Sequence, residues 1–302
     1  MNKIKLTKKK YFIEYIFVKS LYLILENVSI ETASNIGAAL GRIAYLLSHK
    51  SKKIARTNLQ VAFPELSDKE TNIIIKKMWD NLCRSLCETP SVYKLSDSEI
   101  NSRVTSTYSK NFKKIQKDQS VIAITGHFGN WNITARIFKQ HKENISVIYR
   151  VANNPKTDKL YLSNRVPGFN NIPKGTMALR KVFEAIKNKD AICFLADQKL
   201  NTGIPVKFFG KTSMTTAAPM KLALKFDLPI FFVHTSRIKG TRFKTHIDGP
   251  YSTKDLLKNK ENASDKELAL TQIMNEKIEN WIRKDPSQWL WIHRRCEKSF
   301  YE

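Results

Sequence analysis

The chain has 302 residues, long enough for one large α/β domain or two small ones with a sizeable core, and its 42% apolar content is ordinary for a globular protein. Fifty-two Lys and Arg against 27 Asp and Glu give a net charge of +25, which points to a polyanionic partner: nucleic acid, an anionic lipid surface or an acidic carrier protein. Ten glycines and ten prolines, with no internal repeat or low-complexity tract, exclude long disordered linkers.

In chain order, Lys3, Lys5, Lys8, Lys9 and Lys10 precede an apolar run of 15 residues, Tyr11 to Leu25, that contains Glu14 and Lys19. A membrane-spanning helix needs about 20 mostly apolar residues, and each central charge costs about 2.5–3.5 kcal/mol. A helix over residues 1–28 lying in the membrane interface suits the segment better, with each flanking lysine adding about 1 kcal/mol on an anionic leaflet. A single span, a cleaved signal and a plain core helix are the other readings, although no convincing A-x-A site follows. The pattern then predicts helices over 30–49 and 51–61, a turn at Phe63-Pro64-Glu65-Leu66, and a helix opened by the capping box Ser67/Glu70 and running to about Cys87. The chain up to about residue 115 therefore reads as helical.

The pattern changes at Ser120. Val121-Ile122-Ala123-Ile124 is a continuous apolar run that suits a strand buried on both faces. Similar runs at 145–149, 191–195 and 228–233 alternate with helical stretches near 131–139, 155–164, 175–187 and 215–226. An added strand at 242–248, a last helix over 264–283 and a Trp-rich tail complete the chain. The expected fold is α/β, a mostly parallel central sheet flanked by helices behind a helical N-terminal region. In domain terms, residues 29–302 form a single unit, helical over 29–118 and α/β over 119–302.

Cys83, Cys87, Cys193 and Cys296 form no CxxC and no Cys/His cluster with metal spacing, so reduced, core-packed thiols are expected and no metal site. The most informative stretch is Thr125-Gly126-His127-Phe128-Gly129-Asn130-Trp131-Asn132, which follows the buried strand and opens a helix. Ligands of open α/β sheets collect at the carboxyl ends of strands. His127 there is placed to act as a base, and its flanking glycines let a substrate approach the backbone; a turn histidine bonded to nearby backbone is the bland alternative. Residues five apart on one continuous helix point about 140° apart, so His127 and Asn132 can meet only if the helix starts between them, with Asn130 as its cap.

Gly126-His127-Phe128-Gly129-Asn130-Trp131 closely resembles the core motif of the lipid A biosynthesis acyltransferases, the lauroyl/myristoyl late acyltransferases related to phosphatidylinositol-mannoside acyltransferases. The likeness spans about residues 50–295 in order. It takes in Asn58-Leu59, Phe63-Pro64-Glu65-Leu66, Met78-Trp79-Asp80-Asn81-Leu82, Ile148-Tyr149-Arg150 with Asn154-Pro155, Arg165, Ala196-Asp197-Gln198, Phe208-Phe209-Gly210-Lys211, and Trp289-Leu290-Trp291-Ile292-His293-Arg294-Arg295. The resemblance implies a glycerolipid-acyltransferase-like fold and an enzyme at the cytoplasmic face of the bacterial inner membrane. In that family a histidine deprotonates the acceptor hydroxyl, which attacks a thioester of acyl carrier protein or coenzyme A, with no metal or redox cofactor. An acidic residue five positions on holds the imidazole.

This chain departs there, because position 132 is Asn. In serine proteases the corresponding Asp-to-Asn change costs about 10⁴ in rate. A slower enzyme, an enzyme using another carboxylate such as Asp197, and a catalytically impaired lipid-binding scaffold all stay open. The catalytic candidates are His127, Asn132, Arg165 and Asp197, with Arg165 for a phosphate or the developing oxyanion. The substrate-binding candidates are Gly126, Gly129, Asn130, Trp131 and Gln198, Arg150 at a strand end for a lipid phosphate, and Phe208 and Phe209 for an acyl pocket or the packing of their loop. Arg294 and Arg295 are expected to clamp anionic headgroups beside interfacial tryptophans, or else to be solvated charge beside core tryptophans. Acyl carrier protein and an anionic glycolipid are the expected partners. A basic nucleic-acid-binding protein would also explain the charge, but no zinc-finger spacing, RNP motif or basic heptad segment is present.

Overall fold

A computed structural model describes residues 2–110, 112, 118–163, 168–258 and 264–301. The N-terminal third forms helices α1 (Asn2–Glu26), α2 (Ile30–Leu47), α3 (His49–Ala62), α4 (Asp68–Val92) and α5 (Asp97–Arg103), followed by strand β1 (Val104–Tyr108). The remainder alternates as β2 (Val121–Thr125), α6 (Trp131–Lys139), β3 (Ile145–Tyr149), α7 (Pro155–Ser163), β4 (Phe169–Pro173), α8 (Ala178–Lys187) and β5 (Ala191–Leu195). A hairpin of β6 (Lys199–Phe208) and β7 (Lys211–Thr215) comes next, then α9 (Ala218–Phe226), β8 (Ile230–Lys239), β9 (Arg242–Tyr251), α10 (Thr253–Leu257) and α11 (Lys266–Lys284).

Seven strands form one sheet in the order β1-β9-β8-β2-β5-β3-β4, parallel throughout except for the β8–β9 pair. The chain is thus α/β with a mostly parallel sheet flanked by helices. Every residue of β2 is buried, because both sheet faces are covered. Val121 and Ala123 face one apolar layer with Ile133, Ile137 and Phe138 of α6. Ile122 and Ile124 face the other, with Met220 of α9 and Met274 and Ile278 of α11. This alternation fixes the register of β2 and brings its carboxyl end to the middle of the sheet, between β5 and β8.

The structure departs from the sequence expectation in several features, among them strand β4 at the far sheet edge, which the pattern did not announce. The region before residue 118 is not wholly helical, since β1 pairs in parallel with β9 at the sheet edge. Helix α4 runs past Cys87 to Val92 with Pro90 inside it. The β6–β7 hairpin forms a separate two-stranded sheet. Outer faces of the first two helices expose apolar side chains, Phe12, Ile13, Ile16 and Phe17 on α1 and Leu40, Ile43, Leu46 and Leu47 on α2. Among the described residues, no helix is long and apolar enough to cross a membrane.

Candidate active site

The loop leaving β2 carries His127 at the carboxyl end of the sheet, and α6 begins at Trp131. Asn130 caps that helix: its side-chain oxygen accepts from the Asn132 amide at 3.0 Å. Two close approaches explain the glycines. Gly129 has φ +54°, and a Cβ there would lie 2.0 Å from the Thr235 carbonyl oxygen. A Cβ on Gly126 would press on the Asp197 carboxylate at 3.1 Å.

Asp197 follows β5, the neighbour of β2, and is 1% exposed. One oxygen faces His127 Nδ1 at 2.9 Å; the other accepts from the His127 amide at 2.7 Å and from Trp289 Nε1 at 2.8 Å. Burial pushes the carboxyl pKa up, but the attraction of His127 and these hydrogen bonds outweigh it and hold Asp197 well below the usual carboxylate range. A carboxylate fixed at Nδ1 selects the tautomer with its proton there and leaves Nε2 free to take one. The His127 side chain is 19% exposed, and its ring meets the edge of Trp131 at 5.2 Å.

His127 lines a cavity of about 310 Å³ that runs between the sheet and α6. Thr125, Trp131, Asn132, Arg150 and Gln198 surround its mouth and walls, and Phe138, Val147 and Val233 make the interior apolar. Depth, an apolar lining and a few convergent polar groups describe a small-ligand site. A second groove of about 560 Å³ lies between α8 and α9 and is lined by Leu179, Phe183, Leu222 and Phe226. Ile148, Lys174, Leu195 and Gln198 belong to both.

Asn132 lies in the cavity wall but does not bond to His127. Its oxygen accepts from Tyr93 Oη at 2.9 Å and its amide donates to Thr89 Oγ1 at 3.0 Å. The helix does start between residues 127 and 132, yet the imidazole turns to the β5 side and Asn132 to α4. Arg150, exposed at the cavity rim, donates to Asn153. Arg165 lies outside the described residues. Phe208 and Phe209 do not line the cavity: they are buried against each other and against Trp289 and Trp291, which closes the hairpin onto the tail.

Of the two readings of the tail, the structure has the core tryptophans and not interfacial ones, since Trp289 and Trp291 are fully enclosed. Arg294 is exposed and stacks on Tyr301. Arg295 is buried over the Phe208 ring, near Thr215 and Asn275, and burial lowers its pKa to about 10. It packs the interior and is not positioned as a headgroup clamp.

Sequence reasoning missed four contributors. Trp289 acts through its indole N–H on Asp197. Tyr93 orients Asn132. His293 accepts from Gln198 Nε2 at 2.9 Å, with its ring 6.2 Å from that of His127. Glu88, wholly buried, receives Asn130 Nδ2 at 2.7 Å and pairs with Arg237 at 2.6 Å. Trp289 and His293 stand in the Trp-rich motif of the tail, which carries no sign of the groups they reach; Tyr93 and Glu88, 39 and 42 residues from their partners, gave no local signal. Among the described residues no group of His, Cys, Asp or Glu is arranged to hold a metal ion.

Residues 1–298 match the family described as bacterial lipid A biosynthesis acyltransferase. A lipid A biosynthesis acyltransferase of Haemophilus influenzae is 27% identical over 273 residues, covering 86% of this chain and 83% of that protein. The lipid A biosynthesis lauroyltransferase of Escherichia coli is 22% identical over 291 residues, 95% of this chain and 92% of that protein. The palmitoleoyltransferase of the same organism is 24% identical over 276 residues, 86% and 83% of the two chains.

Proposed function

This chain belongs to the bacterial lipid A biosynthesis acyltransferase family and is an acyltransferase, and from that premise we propose that it moves a fatty acyl chain from an acyl carrier protein thioester to a hydroxyl of a lipid A precursor at the membrane surface. The observation that carries the mechanism is the buried Asp197 bonded to Nδ1 of a histidine at the mouth of an apolar cavity.

His127 Nε2 takes the proton of the acceptor hydroxyl as its oxygen attacks the thioester carbonyl carbon. Asp197, already ionised, stabilises the imidazolium that forms. Gln198 Nε2 donates to His293 at 2.9 Å and lies 3.4 Å from both ring nitrogens of His127, so its second hydrogen points at the reacting centre and can turn to the oxyanion of the tetrahedral intermediate. When the C–S bond breaks, the imidazolium returns its proton to the departing thiolate. The cavity beneath α6 suits the transferred chain, and the α8–α9 groove suits chains already on the acceptor. The net charge of +25 favours an acidic carrier and an anionic leaflet, and the exposed apolar faces of α1 and α2 suit an interfacial attachment.

The test incubates purified protein in detergent with acyl–acyl carrier protein, or acyl-coenzyme A, and a tetraacylated lipid A precursor, and follows product mass. The expected result is one added acyl chain with the carrier-protein donor and none for His127→Ala. An unmodified precursor with both donors, alongside retained lipid binding, would replace the enzyme reading with a lipid-binding scaffold.

A further inference from the structure

A second cleft of different chemistry adjoins the histidine loop. It has a volume of about 380 Å³ and opens beside the pairing of β8 with β9. His234 and Ser236 lie beyond the part of β8 that pairs with β2, so the cleft sits at the same carboxyl end of the sheet as His127. Successive residues of one loop face the two sites: His127 lines the first and Phe128 the second.

The cleft concentrates cationic and neutral donors. Lys244 of β9 and Lys284 of α11 line it, both exposed, and among the described residues neither ammonium has a hydrogen-bond or ion-pair partner. His246 Nδ1 lies 3.0 Å from Thr107 Oγ1; with that hydroxyl donating, Nε2 carries the ring proton and can give it to a ligand oxygen. His234, stacked on Trp281 with ring centroids 4.9 Å apart, forms the back wall. Burial lowers the pKa of both imidazoles, and Lys284 and Lys244 lower them further, so both lysines act on this one space. The other charges at the cleft are already engaged. Arg237 is paired with Glu88, and the Asp285 carboxylate accepts from Ser287 and Gln288.

Two free ammonium groups, an imidazole N–H and the Ser236 hydroxyl, held only by a 3.5 Å bond to the Lys244 carbonyl, surround one hollow and match an anion with several oxygens better than a single carboxylate. We propose that this cleft is a phosphate subsite, holding a phosphate group of the acceptor glycolipid while the hydroxyl to be acylated lies at His127. The second half of that statement rests on the acyl-transfer reading; the anion site itself does not.

The experiment has two arms. The first titrates inorganic phosphate and pyrophosphate into the full-length protein by calorimetry, against chloride at equal ionic strength, for the natural chain and for Lys244→Ala/Lys284→Ala. Neither lysine has a partner to lose, so the double variant is expected to fold normally. Saturable binding weakened about tenfold or more in the variant is the expected result. No saturable binding by the natural chain, or equal binding by both, overturns the site whatever the catalytic activity. The second arm measures acylation of a precursor with and without its phosphates. The expected result is a KM raised about tenfold in the variant for the phosphorylated acceptor only, with kcat unchanged. Phosphate binding lost with both KM values unaltered overturns the acceptor assignment and leaves a site for free phosphate.

Discussion

An imidazole serves as a base at one nitrogen only while the other keeps its proton, and here that hold falls to Asp197. Asp197→Asn should therefore lower kcat by about 10³–10⁴, far more than the accompanying loss of stability at neutral pH from the missing ionised carboxylate would explain, read by acylation kinetics at a temperature well below the variant's own melting point. Asn132→Asp should leave kcat within a few-fold, because the new carboxylate meets Tyr93 and Thr89, not the ring; a large gain in rate would show that position 132 reaches His127 during turnover. The histidine was legible in sequence from its place after a buried strand, and Asp197 from its place after another. Which acid serves the ring was not, because the choice depends on which way a loop turns between strands 70 residues apart in the chain. A pH dependence belongs to His234, whose pKa burial lowers from 6.5 to about 4, with His246, Lys284 and Lys244 adding to the shift. The unfolded chain binds this proton below about pH 6.5 and the folded one only near 4, so stability is lost as pH falls through that window, by at most roughly 3 kcal/mol. His234→Phe, which keeps the stack on Trp281, should narrow the fall in Tm between pH 7 and pH 4.5 in phosphate-free buffer; an undiminished fall would assign it to other groups.

Helix α4 is the element that ties the His127 loop to the N-terminal region. Asn81 and Ser85 donate to the Gly129 carbonyl at 3.0 and 2.9 Å, and Glu88 joins Asn130 to Arg237. Glu88 and Arg237 side chains are 0% and 8% exposed, so removing one partner leaves the other charged and enclosed. Glu88→Gln should cost about 3 kcal/mol of unfolding free energy by chemical denaturation and reduce turnover as Asn130 and Gly129 loosen. An unaltered denaturation midpoint would mean that water reaches Arg237. The capping box that starts α4 is plain in the sequence and is formed by Ser67 and Glu70. Its end was not legible, since Pro90 reads as a stop, yet the helix continues two residues past it to Val92. Strands buried on both faces, β2, β5 and the start of β8, announced themselves as apolar runs. The edge strands β1 (Val-Thr-Ser-Thr-Tyr) and β4 (Phe-Asn-Asn-Ile-Pro) did not, because half-exposed strands carry polar residues and their partners are supplied only by the folded sheet.

At the scale of the whole molecule, two forces are available for holding the chain at a lipid surface, and they respond differently to salt. The excess of 25 positive charges acts through solvent and is screened within about 10 Å at 0.1 M salt and about 3 Å at 1 M. Burial of Phe12, Ile13, Ile16 and Phe17 from α1 is a hydrophobic term that salt does not weaken. Helix α1 is also tied to the body that carries the site: Asn154 donates to the Tyr11 carbonyl at 2.8 Å, and Tyr22 meets Tyr161 of α7 edge-on. An α1 lying in the interface would therefore bring the carboxyl end of β3, with Arg150 at the cavity rim, toward the leaflet. Co-sedimentation with vesicles separates the two forces. The natural protein should bind anionic vesicles at 0.1 M salt and keep a substantial fraction bound at 1 M. Phe12→Ser/Phe17→Ser should still bind at low salt through charge alone and be released at 1 M. Equal retention of both proteins at high salt would rule out α1 as the apolar contact and turn attention to the exposed Leu40, Ile43, Leu46 and Leu47 of α2, whose replacement by serine would then be expected to release the protein instead.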